Sequence, residues 1–452
     1  MKKNFENQKK NQKAGTGRNT ENNKKQKNEQ KPEKNGVKKS SRTKKAAFIA
    51  AGVLVAAAAA FSVYKAVPKG PSTVVLYDLN EREEKAISDS IRKVADEKSV
   101  SILSLKSDAK TDEKTADKEF EKAVKKSGAS LVFVKSGLKA EKAVSMAKDG
   151  SELSAGTINI GEMTTSMKGA VKADKKGVKA VPTIFDNMEI DIDIGALRNS
   201  GMAGIATWDD IEKLAGFQKR YVENPIVFAG KDAELALDIF GALTEAMSGA
   251  DEYKNAVEIV NSHSGADFNA ARVARLLTEK SDYPLYKSVL YLSKLYKQGL
   301  LHPNTFNLEK NDVKAFAKAR IASIIFMSLN DHRAFDPKVI SRFTSIYFPS
   351  EFSGENRKFT APVTCAVPLK KDKAAKSIVE SLVTTEEQER LSFSTGLAPV
   401  LARCRTPDRQ SSDARHWVAS TDTPLSGLSA DINLTKPQRT QLVNELAAIV
   451  TR

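Results

Sequence analysis

Apolar and polar positions alternate with two different periods along the chain, and the change of period divides it. After Pro68, Gly70 and Pro71, Val74–Leu79 (VVLYDL) reads as a buried strand. Glu81–Asp96 then carries Ile87, Ile91 and Val94 at helical spacing. Val100–Leu105 reads as a second strand, Asp117–Lys126 as a second helix and Leu131–Val134 (LVFV) as a third strand. Strand–helix–strand–helix–strand at this spacing predicts an α/β unit with a parallel sheet covered on both faces. Ligands of open sheets of this kind sit beyond the carboxyl ends of the strands. That rule points to Asp78 and Asn80 after the first strand, and to Ser136 and Gly137 after the third.

Past about residue 205 the period becomes helical. Thr207 is placed to cap a helix over Trp208–Ala215, with Asp209 and Asp210 in the first turn, where the helix dipole favours them. Helices are predicted over Asp232–Ala246, Tyr253–Val260, Phe268–Thr278 and Tyr286–Gln298. Strands return at Ile321–Phe326, Ser345–Phe348 and Val363–Val367; helices close the chain at Ala374–Leu382, Thr385–Phe393 and Lys436–Val450.

The pattern before residue 70 is of another kind. Residues 1–45 hold sixteen Lys and Arg against four Glu and no Asp, so the tail carries most of the net +16 of the 452-residue chain. So few apolar residues cannot offset the entropy of ordering, and residues 1–45 are expected to be a disordered basic cytoplasmic tail. Because the basicity is confined there, the remainder is not a nucleic-acid binder on charge grounds, and no specific nucleic acid is expected as a partner. From Ala46 to Tyr64 run nineteen residues without a charge (AAFIAAGVLVAAAAAFSVY), which as a helix span about 28 Å. Lys and Arg concentrate before this run, so the positive-inside bias places the N-terminus in the cytoplasm and residue 70 onward outside. Residues 46–64 are expected to be a transmembrane helix, a signal anchor in the cell (inner) membrane, with 65–71 as linker; a cleaved secretory signal is the competing reading. Under either reading the main domain, 72–452, is periplasmic or extracellular.

Three stretches in order resemble the extracellular solute-binding proteins of the sugar-type ABC importers, the maltose-binding-protein-like family. Val181–Ala215 (VPTIFDNMEIDIDIGALRNSGMAGIATWDDIEKLA) is similar to that family's Pro-containing crossover followed by a "TWdEl" helix start. Tyr286–Met327, ending in AFAKARIASIIFM, resembles its "aFakGkaAm" helix-to-strand step. Thr364–Val400, with KDKAAKSIVESLVTTEEQERLSFSTGLAPV, resembles its "kAA..fi..L.t.eeQ......G.lPv" stretch. Two departures stand out. Where the family has an aromatic–Tyr–Asn after the crossover, this chain has Asp191, Asp193 and Gly195; where it has Gly-Pro-Trp, Ser328–Asp331 stand instead. Both remove rings that stack on sugars.

The resemblance implies a two-lobed α/β solute-binding (Venus-flytrap) fold with crossings near 180–187, 328–335 and 363–368. It assigns lobe 1 to about 72–183 and 328–364 and lobe 2 to about 187–327 and 368–452. It also implies a small polar solute, carbohydrate-like or other, held between the lobes and delivered to the transmembrane subunits of an ABC permease. Asp186 and Asn187 in the first crossing, Asn330 and Asp331 in the second and Thr364 in the third join Asp78, Asn80 and Ser136 as candidate ligand contacts. Trp417, in the late segment Arg403–Asp431, offers a stacking or cation–π face. Turn and cap chemistry competes at Asn80, Asp186 and Asn187, and burial competes at Trp417.

Catalytic and metal patterns are lacking in the sequence. His263, His302, His332 and His416 form no metal-ligand spacing, and there is no GxSxG, Walker loop or GxGxxG. No cofactor and no catalytic residue is expected. Cys365 and Cys404 are expected as two buried free thiols, with a bridge as the alternative. The same fold serving as a sensory or protein-interaction ectodomain is the second functional reading.

Overall fold

The structure, a computed structural model, describes residues 71–95, 99–351 and 357–452. The expected tail (1–45), the expected span (46–64) and linker residues 65–70 lie outside the described residues. Among the described residues no helix is long and apolar enough to cross a membrane.

The chain opens with β1 (Ser72–Tyr77), α1 (Glu81–Val94), β2 (Val100–Leu105), α2 (Ala116–Ser127), β3 (Leu131–Lys135) and α3 (Leu138–Met146). The three strands are parallel, with β1 and β3 largely buried and β2 partly exposed at the sheet edge: Ser72 lies opposite Val100 and Val74 opposite Leu131. After α4 (Thr165–Ala170) and β4 (Lys172–Asp174), the long β5 (Gly177–Phe185) leads straight into β6 (Met188–Asp193). Then follow α5 (Ile194–Asn199), α6 (Trp208–Gln218), β7 (Ile226–Val227), α7 (Ala233–Ser248), α8 (Ala250–Ser262), α9 (Ala270–Thr278), α10 (Tyr286–Lys297) and α11 (Lys310–Ala319). Next come β8 (Ile324–Ser328), α12 (Leu329–His332), α13 (Pro337–Ile340) and β9 (Phe343–Ile346). The chain closes with β10 (Val363–Pro368), α14 (Lys373–Leu382), α15 (Thr385–Thr395), β11 (Ala398–Pro399), α16 (Arg409–Ala419), α17 (Leu428–Asp431) and α18 (Lys436–Val450).

Two sheets organise these elements. The first has the order β11-β5-β10-β3-β1-β2, with β4 beside β5; the second has the order β7-β8-β6-β9. The expected parallel pairing holds for β1, β2 and β3 but does not extend to the rest of the sheet. β10 runs antiparallel to both β3 and β5 because the chain enters it from the second lobe rather than through a crossover helix, and β11, which follows α15 within the first lobe, runs antiparallel to β5. Each sheet has its own apolar core. The first gathers Val74, Leu76, Phe120, Phe133, Phe185 and Val367. The second gathers Ile190, Ile192, Phe228, Phe240, Phe326 and Leu446. The helix start at Trp208 forms as the sequence predicts, with Thr207 and Asp210 in a reciprocal capping box.

The chain crosses between the lobes at 186–187, in the segment leading into β10, and between α16 and α17. The crossing expected at 328–335 is a touch and a return: Leu329 enters the first core, and Phe335 is back in the second. The lobe bounds change accordingly. β9, assigned by expectation to lobe 1, pairs with β6 in the second sheet. β10 and α14 to α16, most of which had been assigned to lobe 2, pack into the first core, and α17 and α18 pack into the second. Helical period marks the apolar face of such a segment but not which of two equally apolar cores receives it. Cys365 and Cys404 are both buried and free.

Candidate functional site

Seven of the nine sequence candidates fall into two places, the end of β1 and the hinge. At the end of β1, Asp78 adopts a left-handed φ of 52° and accepts hydrogen bonds from Ser107 N (2.7 Å) and the Lys139 ammonium. Burial opposes its ionisation, yet Lys139 and Ser107 hold its carboxyl below the usual range. Asn80 caps α1, accepting from Arg82 N and Glu83 N at 3.0 Å each. At Asn80 the capping alternative is what the structure shows.

The second place is the hinge, which brings together Ser136, Asp186, Asn187, Asn330 and Thr364. Asp186 Oδ1 accepts from Asn187 N (2.8 Å) and Asn330 N (2.9 Å). Ser136 N donates to Val363 O (2.6 Å), and Ser136 Oγ accepts from Val363 N (3.1 Å). Thr364 Oγ1 donates to Glu83 Oε1 (2.6 Å), which also accepts from the Lys135 ammonium. These groups join the crossing strands to each other and to the end of α1. Burial pushes the Asp186 carboxyl up to about 6, against the pull of Lys135 and of its two N–H donors.

This hinge carboxylate supports a prediction with a definite sign. A folded pKa near 6 against an unfolded value of about 3.9 means that ionising Asp186 costs stability as pH rises from about 4 to 6. Asparagine keeps the acceptor for both N–H groups and removes the charge. Asp186→Asn is therefore expected to raise stability by about 1–3 kcal/mol at pH 7.5 and to leave it unchanged near pH 4. Urea unfolding at the two pH values checks this; an equal gain at both would rule out the ionisation account.

A cavity of about 440 Å³ lies between the lobes, and none of the sequence candidates is among its lining residues. The start of α16, from the first lobe, forms one wall with Asp408 and Gln410. The other wall comes from the second lobe, with His332, Arg333, Phe343 and Ser345. Arg333 spans the two: its guanidinium donates to both Asp408 oxygens (2.5 and 2.8 Å), to Ser411 Oγ (2.8 Å) and to Gly396 O (2.9 Å). Trp417, farther along α16, is half-buried and meets Tyr347 of the second lobe edge-on, with ring centroids 5.7 Å apart.

Beside this cavity lies a polar cluster that the spacing of histidines could not reveal. Glu189 and Asp191 alternate on β6 with Ile190 and Ile192; the isoleucines enter the second core, and the acids sit on the other face, all four fully buried. His332, 5% exposed, places Nδ1 2.8 Å from Asp191 Oδ2 and 3.3 Å from Glu189 Oε1. Gln410 Nε2 lies 2.6 Å from Glu189 Oε1 and 2.6 Å from His332 Nδ1, and also meets Ser345 Oγ, which itself donates to Asp191 Oδ1. Burial and the neighbouring Asp191 push the Glu189 carboxyl up. Burial alone would push the imidazole down, but Asp191 and Glu189 together push it up. His332 thus pairs with Asp191 rather than with its sequence neighbour Asp331, whose buried carboxylate pairs instead with Lys310 (2.8 Å). The readable signal was the acid–apolar alternation of MEIDID. The histidine that joins Asp191 comes from 141 residues downstream.

No family model matches the sequence, and no curated protein is similar to it in sequence. Solved structures are similar in fold. The bacterial solute receptor AcbH, described with an exclusive preference for β-D-galactopyranose, aligns with a TM-score of 0.56 at 13% identity, over 85% of this chain and 99% of the receptor. Maltose-bound MalE3 of T. maritima aligns with a TM-score of 0.57 at 13% identity, over 83% of this chain and 99% of its own. The raffinose complex of the solute-binding protein RafE gives 0.56 at 13%, over 84% and 98%. At such identities the likeness is one of fold. This chain has the α/β fold of the sugar-binding solute receptors of the maltose-binding-protein-like type.

Proposed function

We propose that residues 72–452 capture a small polar solute between the two lobes and deliver it to an ABC permease from the outer face of the cell membrane. The observation that carries this reading is the cavity of about 440 Å³ between α16 and the segment running from His332 to Ser345. Its volume lies in the range of small-molecule sites, about 300–1,000 Å³. Its walls belong to different lobes, so an occupant touching both favours the lobes together over the lobes apart. Similar folds bind galactopyranose, maltose and raffinose, which supports a carbohydrate-like solute. The cavity is lined by Arg333, Asp408, Arg409, Gln410 and Asp413, with Phe335 and Phe343 as its rings. Recognition here rests more on hydrogen bonds and charge than on stacking. Tethering through residues 46–64 rests on their apolar run and the basic residues before it.

A solute that fits raises stability by about 2.7 kcal/mol at one hundred times its dissociation constant. Thermal and denaturant unfolding with mono-, di- and trisaccharides, polyols and amino acids is expected to show such a gain for one class. Gln410→Trp, which fills the cavity, is expected to abolish it. No gain across the series would reject the solute reading and favour a sensory or protein-interaction ectodomain on the same fold.

A further inference from the structure

We infer that Glu189, Asp191 and His332 form a binding site for one divalent transition-metal ion, of the Zn²⁺ or Mn²⁺ class, beside the interlobe cavity. Three observations carry it. The first is geometry: one oxygen from each carboxylate and one imidazole nitrogen all lie within 4.8 Å of one another. The Nδ1 separations of 2.8 and 3.3 Å are close to those of donors sharing one ion. Donors at about 2.1 Å from a metal sit roughly 3.0–3.4 Å apart at octahedral or tetrahedral angles.

The second is charge. Two carboxylates are fully buried against a single imidazole, and the nearby guanidinium of Arg333 is engaged by Asp408. Buried carboxylates left short of positive charge are costly, and a divalent cation supplies what is missing.

The third is an orphan. Glu189 is 0% exposed, and its Oε2 has no hydrogen-bond partner among the described residues. Gln410 sharpens the point. Its Nε2 lies within hydrogen-bond distance of Glu189 Oε1, His332 Nδ1 and Ser345 Oγ at once, more neighbours than two amide hydrogens can serve. With the amide turned over, its oxygen faces the same centre as a fourth donor. One nitrogen and several oxygens select a first-row divalent ion over Mg²⁺ or Ca²⁺, which prefer oxygen alone. The ion would be held mainly by the second lobe, and Gln410 would connect it to the first.

The site stands apart from the solute reading, because ion uptake is measured with no solute present. The full chain, stripped with a chelator, is titrated calorimetrically with Zn²⁺, Mn²⁺ and Mg²⁺. Saturable one-to-one uptake of Zn²⁺ or Mn²⁺ is expected, with Mg²⁺ at least tenfold weaker. His332→Ala is expected to weaken uptake at least tenfold, and Gln410→Ala to weaken it less. X-ray absorption of the Zn²⁺-loaded wild type, which needs no variant to fold, is expected to show one imidazole among oxygen donors. No uptake by the wild type, uptake unchanged in His332→Ala, or a coordination shell without imidazole overturns the proposal. A chain that takes up the ion but responds to no solute rejects the solute reading alone.

Discussion

Replacing Glu83 by alanine is expected to destabilise the chain by about 3–5 kcal/mol, the cost of leaving one partner of a buried pair without the other. Glu83 is fully buried at the start of α1 and serves three elements at once. Its Oε1 accepts from the Lys135 ammonium at the end of β3 and from Thr364 Oγ1 (2.6 Å) on β10. Its Oε2 accepts from the amide side chain of Asn80 and completes the cap of α1. Alanine strands a partly buried ammonium and a buried hydroxyl, and removes half of a capping box worth about 1 kcal/mol on its own. Glu83→Gln removes the charge and keeps one acceptor oxygen, its NH2 taking the place of the other, so its loss relative to the wild type is an upper bound on what the charge contributes. Urea unfolding at pH 7 measures both. A loss below 1 kcal/mol for the alanine variant would show that the Lys135 pair contributes little. The change also reaches the hinge: the Glu83 charge helps to raise Asp186, so its removal lowers that carboxyl and makes the loss of stability with rising pH smaller.

The contrast between Glu83 and His332 shows what the sequence could and could not carry. Period and capping are local, and they placed β1, β2, β3, the Trp208 helix and the final helix, Lys436–Val450, close to their observed bounds. Strand direction is not local. The alternation in VTCAVP is the same whether β10 runs with β3 or against it, and only the path of the chain through the second lobe makes it antiparallel. Asp186, Asn187 and Asn330 were legible as a crossing, yet their side chains and backbone serve the crossing itself. His332 forms no metal-ligand spacing in the sequence. A short helix turns its ring inward, onto acids contributed by β6. An acidic face alternating with isoleucine on a strand was the trace that this cluster left in the sequence. An acid on a solvated strand face gives the same trace, and only the arrival of α16 over that face distinguishes the two.

Gly137→Ala is expected to cost about 2–5 kcal/mol and to hold the lobes apart. Gly137 precedes α3 with φ 93° and ψ −153°, a region that residues with a Cβ almost never occupy. A Cβ there would lie 2.5 Å from Asp431 Oδ1 and 2.7 Å from Ala430 O, both on α17 of the second lobe. The residue is thus both a backbone turn and the point where the end of β3 meets the opposite lobe. The contact has companions: Asp117 N donates to Asn433 Oδ1 (3.0 Å), and the Gln438 amide donates to Lys114 O (3.4 Å). Asp431 has little freedom to retreat, since Tyr253 OH donates to its Oδ2 at 2.8 Å. The strain can be relieved by twisting the turn or by separating the lobes, and the second route gives up these hydrogen bonds. Small-angle scattering should then report a larger radius of gyration for the variant, alongside a lower unfolding midpoint. Gly128→Ala is the comparison: φ 68° and ψ 24° are left-handed helical, which a Cβ tolerates at about 1–2 kcal/mol, and a Cβ there meets nothing within 4 Å, so it carries a smaller backbone cost and no collision. If the two variants lose equal stability and scatter alike, the approach of α17 to Gly137 does not set the distance between the lobes. If only the Gly137 variant expands, and its response to a bound solute weakens with it, closure through this contact is coupled to occupancy of the cavity beside α16.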